Sequence, residues 1–307
     1  MNRPFLVAAA QLAPAFLNLE AGIDKACQWI AKAGKEDVKI LVFPETWLPG
    51  YPIWLDSSPE AALWGHPPAK EIFQRLIENS PEIPSPLIAR LCDAAAGARL
   101  TLVMGLHERD GNTLYNTMLY ISEAGKVAGI HRKLVPTYTE RLVWGRGDGS
   151  TLTVIDTPVG RMGGLVCWEH WMPLARQAMH DKHELVHAAV WPSVNEVHLL
   201  ASRSYAFEGR SFVIAAGSVL KREDFPKDVT LLETIPGDGP FMTGGSTIIA
   251  PNAVIMAGPV RNEETLVIAE VDPSISVRES MTLDVSGHYS RPDVFTLLVD
   301  ETPGKGG

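Results

Sequence analysis

An α/β layered domain is what this sequence predicts, on two main observations. Short apolar runs alternate with segments of helical period along the whole chain, and no Pro/Gly/Ser-rich linker interrupts them. The 307 residues are read as one domain, 1–307, long enough for a sizeable core. Residues 303–307 are expected to form a mobile tail. Runs such as Ile40-Leu41-Val42-Phe43 and Leu165-Val166 are apolar without alternation, as strands packed on both faces require.

Taken in order, Phe5 to Ala10 is the first strand. Arg3 followed by this run faintly resembles a short signal peptide, but Gln11 ends the apolar stretch early. Leu19 to Ala33 is a helix with Leu19, Ile23, Cys27 and Ile30 on one face. Lys39 to Phe43 is a strand that ends at Pro44-Glu45. Pro49 to Pro68, rich in Pro, Gly and Trp, reads as an irregular loop too long to be a mere connector. Helices follow at Ala69 to Ile77 and Leu87 to Ala95, the second with Leu87, Leu91 and Cys92 inward. A strand covers Leu100 to His107, and Asn116 to Ser122 with Val127 to Lys133 form a hairpin over Glu123-Ala124-Gly125-Lys126. Further strands are Leu152 to Asp156, Met162 to Cys167, Ala188 to Trp191, Phe212 to Gly217, Thr247 to Ala250, Val254 to Met256 and Leu266 to Val271. Helices are expected at Trp171 to Lys182, Val197 to Glu208 and Pro273 to Met281.

Composition narrows the function. The apolar share is 46% and the charged share 21%, those of an ordinary globular chain. A net charge of −9 without a long basic run speaks against nucleic acid and anionic membrane as partners. No apolar run reaches the ~18 residues of a membrane span. Cys27, Cys92 and Cys167 cannot form a disulfide framework and fit a reducing, cytoplasmic compartment. Cys27 and Cys92 sit on apolar helix faces and are read as core packing.

Cys167 is different. It stands at the corner between a buried strand and a helix, in Gly163-Gly164-Leu165-Val166-Cys167-Trp168-Glu169-His170. The free N–H groups of the following helix favour an anion there, which would lower the thiol pKa. Two other stretches offer partners. Glu45 follows an apolar strand, where α/β sheets place ligands, and burial against Phe43 and Trp47 would raise its pKa into the range of a general base. In His131-Arg132-Lys133-Leu134-Val135-Pro136-Thr137-Tyr138-Thr139-Glu140-Arg141, Lys133 closes a strand and Glu140 follows seven residues later.

Together, Phe43-Pro44-Glu45, His131-Arg132-Lys133-Leu134 with Pro136-Thr137 and Glu140-Arg141, Cys167-Trp168-Glu169-His170, and Gly287-His288-Tyr289-Ser290-Arg291-Pro292-Asp293-Val294-Phe295 resemble the nitrilase superfamily of carbon–nitrogen hydrolases, closest to the nitrilase branch. The resemblance spans Phe5 to about Phe295. It implies a four-layer αββα sandwich, a Glu45-Lys133-Cys167 triad with Glu140 as the second glutamate, and no metal or organic cofactor. It also implies hydrolysis of a nitrile to carboxylic acid and ammonia through thioimidate and thioester. Glu45 would take the Cys167 proton and later activate water, and Lys133 with the Trp168 backbone N–H would stabilise the developing anion. Such close groups titrate together. The resemblance places Tyr51, Thr137, Trp144, Trp168 and Trp191 around the pocket. It further implies a homodimer or higher oligomer paired through the helices at 171–182 and 197–208, with spiral assembly left open.

Other readings compete. His183-Glu184-Leu185-Val186-His187 matches the H-E-x-x-H zinc-protease pattern, which needs both histidines on one sustained helix. Here His187 runs into Ala188-Ala189-Val190-Trp191-Pro192, a strand and a stop. His131, His170 and His288 are read as structural hydrogen-bonding groups. A cyanide-degrading enzyme, an enzyme stopping at the amide, an amide or carbamoyl hydrolase, and a non-catalytic assembly protein are the alternatives. The filled Glu45, Lys133, Glu140 and Cys167 positions oppose the last.

Overall fold

Strand β1 (Phe5–Gln11) shows how the core is organised. Val7 and Ala9 face one hydrophobic layer, Ala8 and Ala10 another, and all four are fully buried. A strand enclosed on both sides has no polar face to alternate with, which is why its sequence is an unbroken apolar run. The computed structural model describes residues 3–304.

The first sheet runs β14 (Thr265–Val271), β1, β2 (Val38–Val42), β3 (Thr101–Asp110), β4 (Thr113–Ile121), β5 (Val127–Arg132), with β1, β2 and β3 parallel. The second runs β13 (Ile255–Ala257), β12 (Thr247–Ile249), β9 (Phe212–Ala216), β8 (Val186–Val190), β7 (Gly160–Val166), β6 (Val154–Thr157), with β7, β8 and β9 parallel. Helices α1 (Leu19–Lys35) and α4 (Pro86–Ala98) cover the outer face of the first sheet, setting Ile23, Ile30, Leu91 and Ala95 against Leu41, Leu102 and Leu119. Helices α5 (Pro173–His180) and α6 (Glu196–Gly209) cover the second. The result is the expected αββα order. Gly163 and Gly164 show its tightness: a Cβ on the first would meet Met179 of α5 at 2.8 Å, and one on the second Met118 of the opposite sheet at 2.7 Å.

The structure departs from the sequence reading in definite places. Strand β3 continues through His107-Glu108-Arg109-Asp110 and turns at Gly111 into β4. That stretch reads as a polar loop, but Glu108 is buried because Thr117 and Arg132 bond its carboxylate across the sheet. The expected loop 49–68 contains α2 (Trp54–Ser57) and the start of α3 (Pro67–Glu78). Between β9 and β12, where no element was expected, lie β10 (Val219–Leu220), α7 (Thr230–Glu233) and β11 (Met242–Thr243). Helix α5 begins at Pro173, not at 171, after a 3-10 turn over Cys167–Trp171. Proline suits the first helical position because its missing N–H would have no partner there. Leu174, in its first turn, is 70% exposed.

Helix α8 (Pro273–Glu279) follows β14. Cys27 and Cys92 are half-buried against the α1–α4 core and free. Of the expected tail, the Gly304 N–H donates to Asp148 Oδ2 at 2.7 Å, and 305–307 lie outside the described residues. Among the described residues no helix is long and apolar enough to cross a membrane.

Candidate active site

Three strand ends meet at one point between the sheets. Glu45 follows β2, Lys133 follows β5 and Cys167 follows β7. The Glu45 N–H reaches across to the Trp191 carbonyl beyond β8 at 3.3 Å, tying the two sheets together. Gly105 of β3 lets the Glu45 turn pass, since a Cβ there would lie 2.0 Å from the Pro44 carbonyl oxygen.

The side chains converge. Lys133 Nζ donates to Glu45 Oε1 at 3.0 Å and to Glu140 Oε2 at 2.7 Å. Carboxylate oxygens of Glu45 and Glu140 and the Cys167 Sγ all lie within 4.8 Å of one another. Among the described residues these are the donors close enough to share a metal ion, but the Lys133 ammonium already bridges the two carboxylates. Glu140 also accepts from the Thr137 N–H at 2.6 Å and from the Tyr51 hydroxyl at 2.9 Å, so the 3-10 turn over Tyr138–Leu142 is locked onto the lysine. Glu45 Oε1 accepts a second bond, from Asn116 Nδ2 at 2.7 Å, whereas among the described residues its Oε2 has no protein partner.

Burial dominates the electrostatics. It lifts Glu45 to about 7, against the opposing pull of Lys133 and with a further push from Glu140. The rise has the direction expected from burial beside Phe43 and Trp47. Lys133 stays firmly protonated: burial opposes its charge, but the surrounding anions outweigh that and raise its pKa. The Cys167 thiol is the correction. Its pKa is raised well above the ordinary value, first by burial and then by Glu45, with Glu140 adding and Lys133 opposing. The helix effect expected to lower it is supplied only by a five-residue 3-10 turn, too little against desolvation and two carboxylates.

Cys167 itself sits at φ +54, a left-handed corner. Glu169 clamps the corner, accepting from the Val166 N–H at 2.6 Å, the Leu134 N–H at 2.7 Å and His131 Nε2 at 2.9 Å. His131 donates its other ring N–H to the Thr151 carbonyl at 2.8 Å. One carboxylate thus fixes the residue after Lys133 to the residue before Cys167.

The chain matches the Carbon-nitrogen hydrolase family over residues 6–277. The chain belongs to the carbon–nitrogen hydrolase family. It is 39% identical over 299 residues to "Aliphatic nitrilase" of Sinorhizobium fredii, covering 97% of this chain and 96% of that one. It is 37% identical to "Bifunctional nitrilase/nitrile hydratase NIT4A" of Lupinus angustifolius, covering 95% and 85%. The Saccharomyces cerevisiae Nit3 structure, at 21% identity, superimposes with a TM-score of 0.72 over 94% of this chain and 97% of that one. The chain is therefore a nitrilase-type hydrolase acting on carbon–nitrogen bonds.

In this carbon–nitrogen hydrolase the site opens into a cavity of about 650 Å3. Tyr51, Thr137, Glu140, Cys167 and Trp168 line it, as expected. Trp144 and Trp191 are not on its wall. Trp144 lies behind Tyr51, donating to His107 Nδ1 at 3.0 Å. Trp191 is fully buried between His170 and His198, donating to Ser202 Oγ at 3.1 Å. The wall also includes the apolar Ile53, Pro192, Phe241 and Met242 and the polar Asp56, Ser57, Tyr138, Ser193, Asn195, His198 and Thr243, which the sequence reading missed. Missed too were Asn116 and Glu169. A glutamate two residues after the cysteine was a readable signal, but an asparagine inside a strand was not. His131 and His170 are buried and bonded, whereas His288 is exposed and does not form the structural contact expected of it.

Proposed function

We propose that this hydrolase converts an organic nitrile to its carboxylic acid and ammonia. The observation that carries the reading is the convergence of an ammonium, two carboxylates and a thiol in one buried cluster that opens on a cavity of mixed polar and apolar lining. Glu45 takes the Cys167 proton as sulfur bonds to the nitrile carbon. The nitrile nitrogen is protonated and a thioimidate results. Water adds with Glu45 accepting its proton, ammonia leaves, and a second water hydrolyses the thioester and restores the thiol. Lys133 and the Trp168 N–H face the negative charge that grows on nitrogen and then on oxygen. As the second residue of the 3-10 turn, Trp168 has no carbonyl a turn earlier to occupy its N–H. Glu140 fixes Lys133, and Tyr51, Thr137 and the Trp168 ring shape the substrate wall.

A cavity of this size accepts nitriles larger than the shortest aliphatic ones. The test is ammonia release from butyronitrile, phenylacetonitrile and benzonitrile, with acid and amide both quantified, beside Cys167→Ala. Acid as main product, lost in the variant, supports the reading; amide as main product or an active Cys167→Ala protein overturns it.

The chain is further proposed to pair through α5 and α6, on which Leu174, Val197, Leu200 and Phe207 are each exposed, as Phe295 and Leu298 are in the C-terminal segment. A monomeric mass at micromolar concentration would contradict this.

A further inference from the structure

The H-E-x-x-H stretch has a use other than zinc. His183 sits exposed at a turn with φ +55, whereas Glu184 and His187 are buried, His187 within β8. From them a line of hydrogen bonds runs to the nucleophile corner. Glu184 Oε2 lies 2.6 Å from His187 Nδ1. His187 Nε2 lies 3.0 Å from His170 Nε2. His170 Nδ1 lies 2.8 Å from the Cys167 carbonyl oxygen.

The proton positions follow from the far end. A carbonyl only accepts, so His170 donates from Nδ1. With both imidazoles neutral, its Nε2 is then an acceptor, His187 must donate from Nε2, and its Nδ1 must accept. The group facing that nitrogen, Glu184, is then a neutral carboxylic acid that donates. The remaining oxygen, Oε1, accepts from the Tyr205 hydroxyl at 2.7 Å. Every link has one donor and one acceptor. The titrations agree: burial lifts Glu184 to about 8 and depresses His170 to about 3 and His187 well below its ordinary value. Trp191 stacks on the His170 ring at 4.8 Å and Tyr205 on the His187 ring at 3.7 Å, holding both planes.

The consequence lies in one peptide unit. The Cys167 carbonyl and the Trp168 N–H belong to the same planar trans amide and point in opposite directions. We propose that Glu184, His187 and His170 are positioning residues: by holding the Cys167 carbonyl they prevent that peptide from flipping and keep the Trp168 N–H aimed at the anion formed on the substrate. This rests on the roles of Cys167 and Trp168 proposed above.

The test separates thiol chemistry from anion stabilisation. Alkylation of Cys167 by iodoacetamide needs the thiolate but no oxyanion donor, whereas nitrile turnover needs both. His170→Leu and Glu184→Leu are expected to lower kcat on the fastest of the three nitriles, the first by about 10²–10³, the usual loss for one such donor, with little change in KM or alkylation rate. Glu184→Gln, which still offers a neutral donor to His187 Nδ1, is expected to restore most of the turnover that Glu184→Leu loses. Infrared difference spectra of wild type against Glu184→Gln are expected to show a protonated carboxyl band. A parallel fall in alkylation, equal losses in Glu184→Gln and Glu184→Leu, or a carboxylate band in wild type would overturn the proposal; the infrared and Gln arms stand even if the leucine variants fail to fold. An active Cys167→Ala protein would instead remove the nucleophile reading beneath it.

Discussion

Asn116→Leu isolates one contact of the proposed base, Glu45. Asn116 Nδ2 donates to Glu45 Oε1 at 2.7 Å, in a site where neither residue touches solvent. The Asn116 Oδ1 has no partner, so an apolar side chain of similar size strands no other side-chain group. Glu45 Oε1 keeps its bond from Lys133 at 3.0 Å. The backbone of Asn116, whose carbonyl accepts the Lys133 N–H at 2.8 Å, is unchanged. A hydrogen bond to a charged group is worth about 1.5–3 kcal/mol, and one pKa unit about 1.4 kcal/mol, so losing this donor raises the pKa of Glu45 by about 1–2. The direction is upward because the donor stabilises the carboxylate form. Starting from about 7, the acid limb of the kcat/KM profile should move to about 8–9. At pH 6 the variant should be slower by about 10–100-fold, and at pH 9.5 it should approach wild type. The profile is measured by ammonia release on the fastest nitrile. A loss equal at all pH values would show that Asn116 does not act through the charge of Glu45, and an unchanged profile would show that this bond does not bear on the base.

Two further outcomes follow from buried carboxylates with opposite roles. Glu169→Ala leaves a charged His131 and the Val166 and Leu134 N–H groups without their acceptor, and should lower unfolding free energy by about 3–5 kcal/mol in urea titrations, the usual result of removing one member of a buried ion pair. An unchanged urea midpoint would mean that this carboxylate is not the clamp. Glu184 keeps its proton in the folded state to about 8 but loses it near 4.5 when unfolded, while facing His187, Tyr205, His180 and Lys182. The native state therefore binds more protons between these values, and stability should fall as pH rises from 4.5 to 8, by a few kcal/mol at most. Glu184→Gln should flatten that slope; parallel stability curves for the two proteins would count against a protonated Glu184.

What could be read in the sequence were features carried by local strings. Glu45 and Cys167 each follow an apolar strand in the parallel part of a sheet, where side chains are exposed to a ligand, whereas Lys133 follows the antiparallel edge strand β5. An α/β layered domain followed from alternation and from strands apolar on both faces, and the αββα order from the family resemblance. What escaped depends on contacts distant in sequence. The polar half of β3 is a strand only because Arg132 and Thr117 meet Glu108. Phe241 and Met242 reach the cavity from short elements with no periodicity of their own. Trp144 and Trp191 are aromatic and near the site, but sequence alone could not tell a wall facing the cavity from a ring packed behind it. The H-E-x-x-H stretch was a true signal of coupled histidine and carboxylate, misleading only in its zinc association.

The raised thiol and the raised carboxyl are compatible with catalysis because what matters is the difference between them. In the resting cluster Lys133 carries one positive charge against Glu45 and Glu140, and the thiol is neutral. Passing the thiol proton to Glu45 moves a negative charge from carboxylate to sulfur over less than 4.8 Å, without changing the cluster's total. Burial penalises adding charge, and here none is added. The same desolvation that pushes Cys167 up also lifts Glu45 to about 7, making it a stronger acceptor for that proton. The thiolate remains the minority form, so sulfur attack and proton transfer are best matched in a single event, with Lys133 held in place by Glu140 as the charge travels on to the substrate. A site built on a depressed thiol pKa would carry a standing, less nucleophilic anion. On the proposed mechanism, this site generates its thiolate only when an electrophilic carbon is there to receive it.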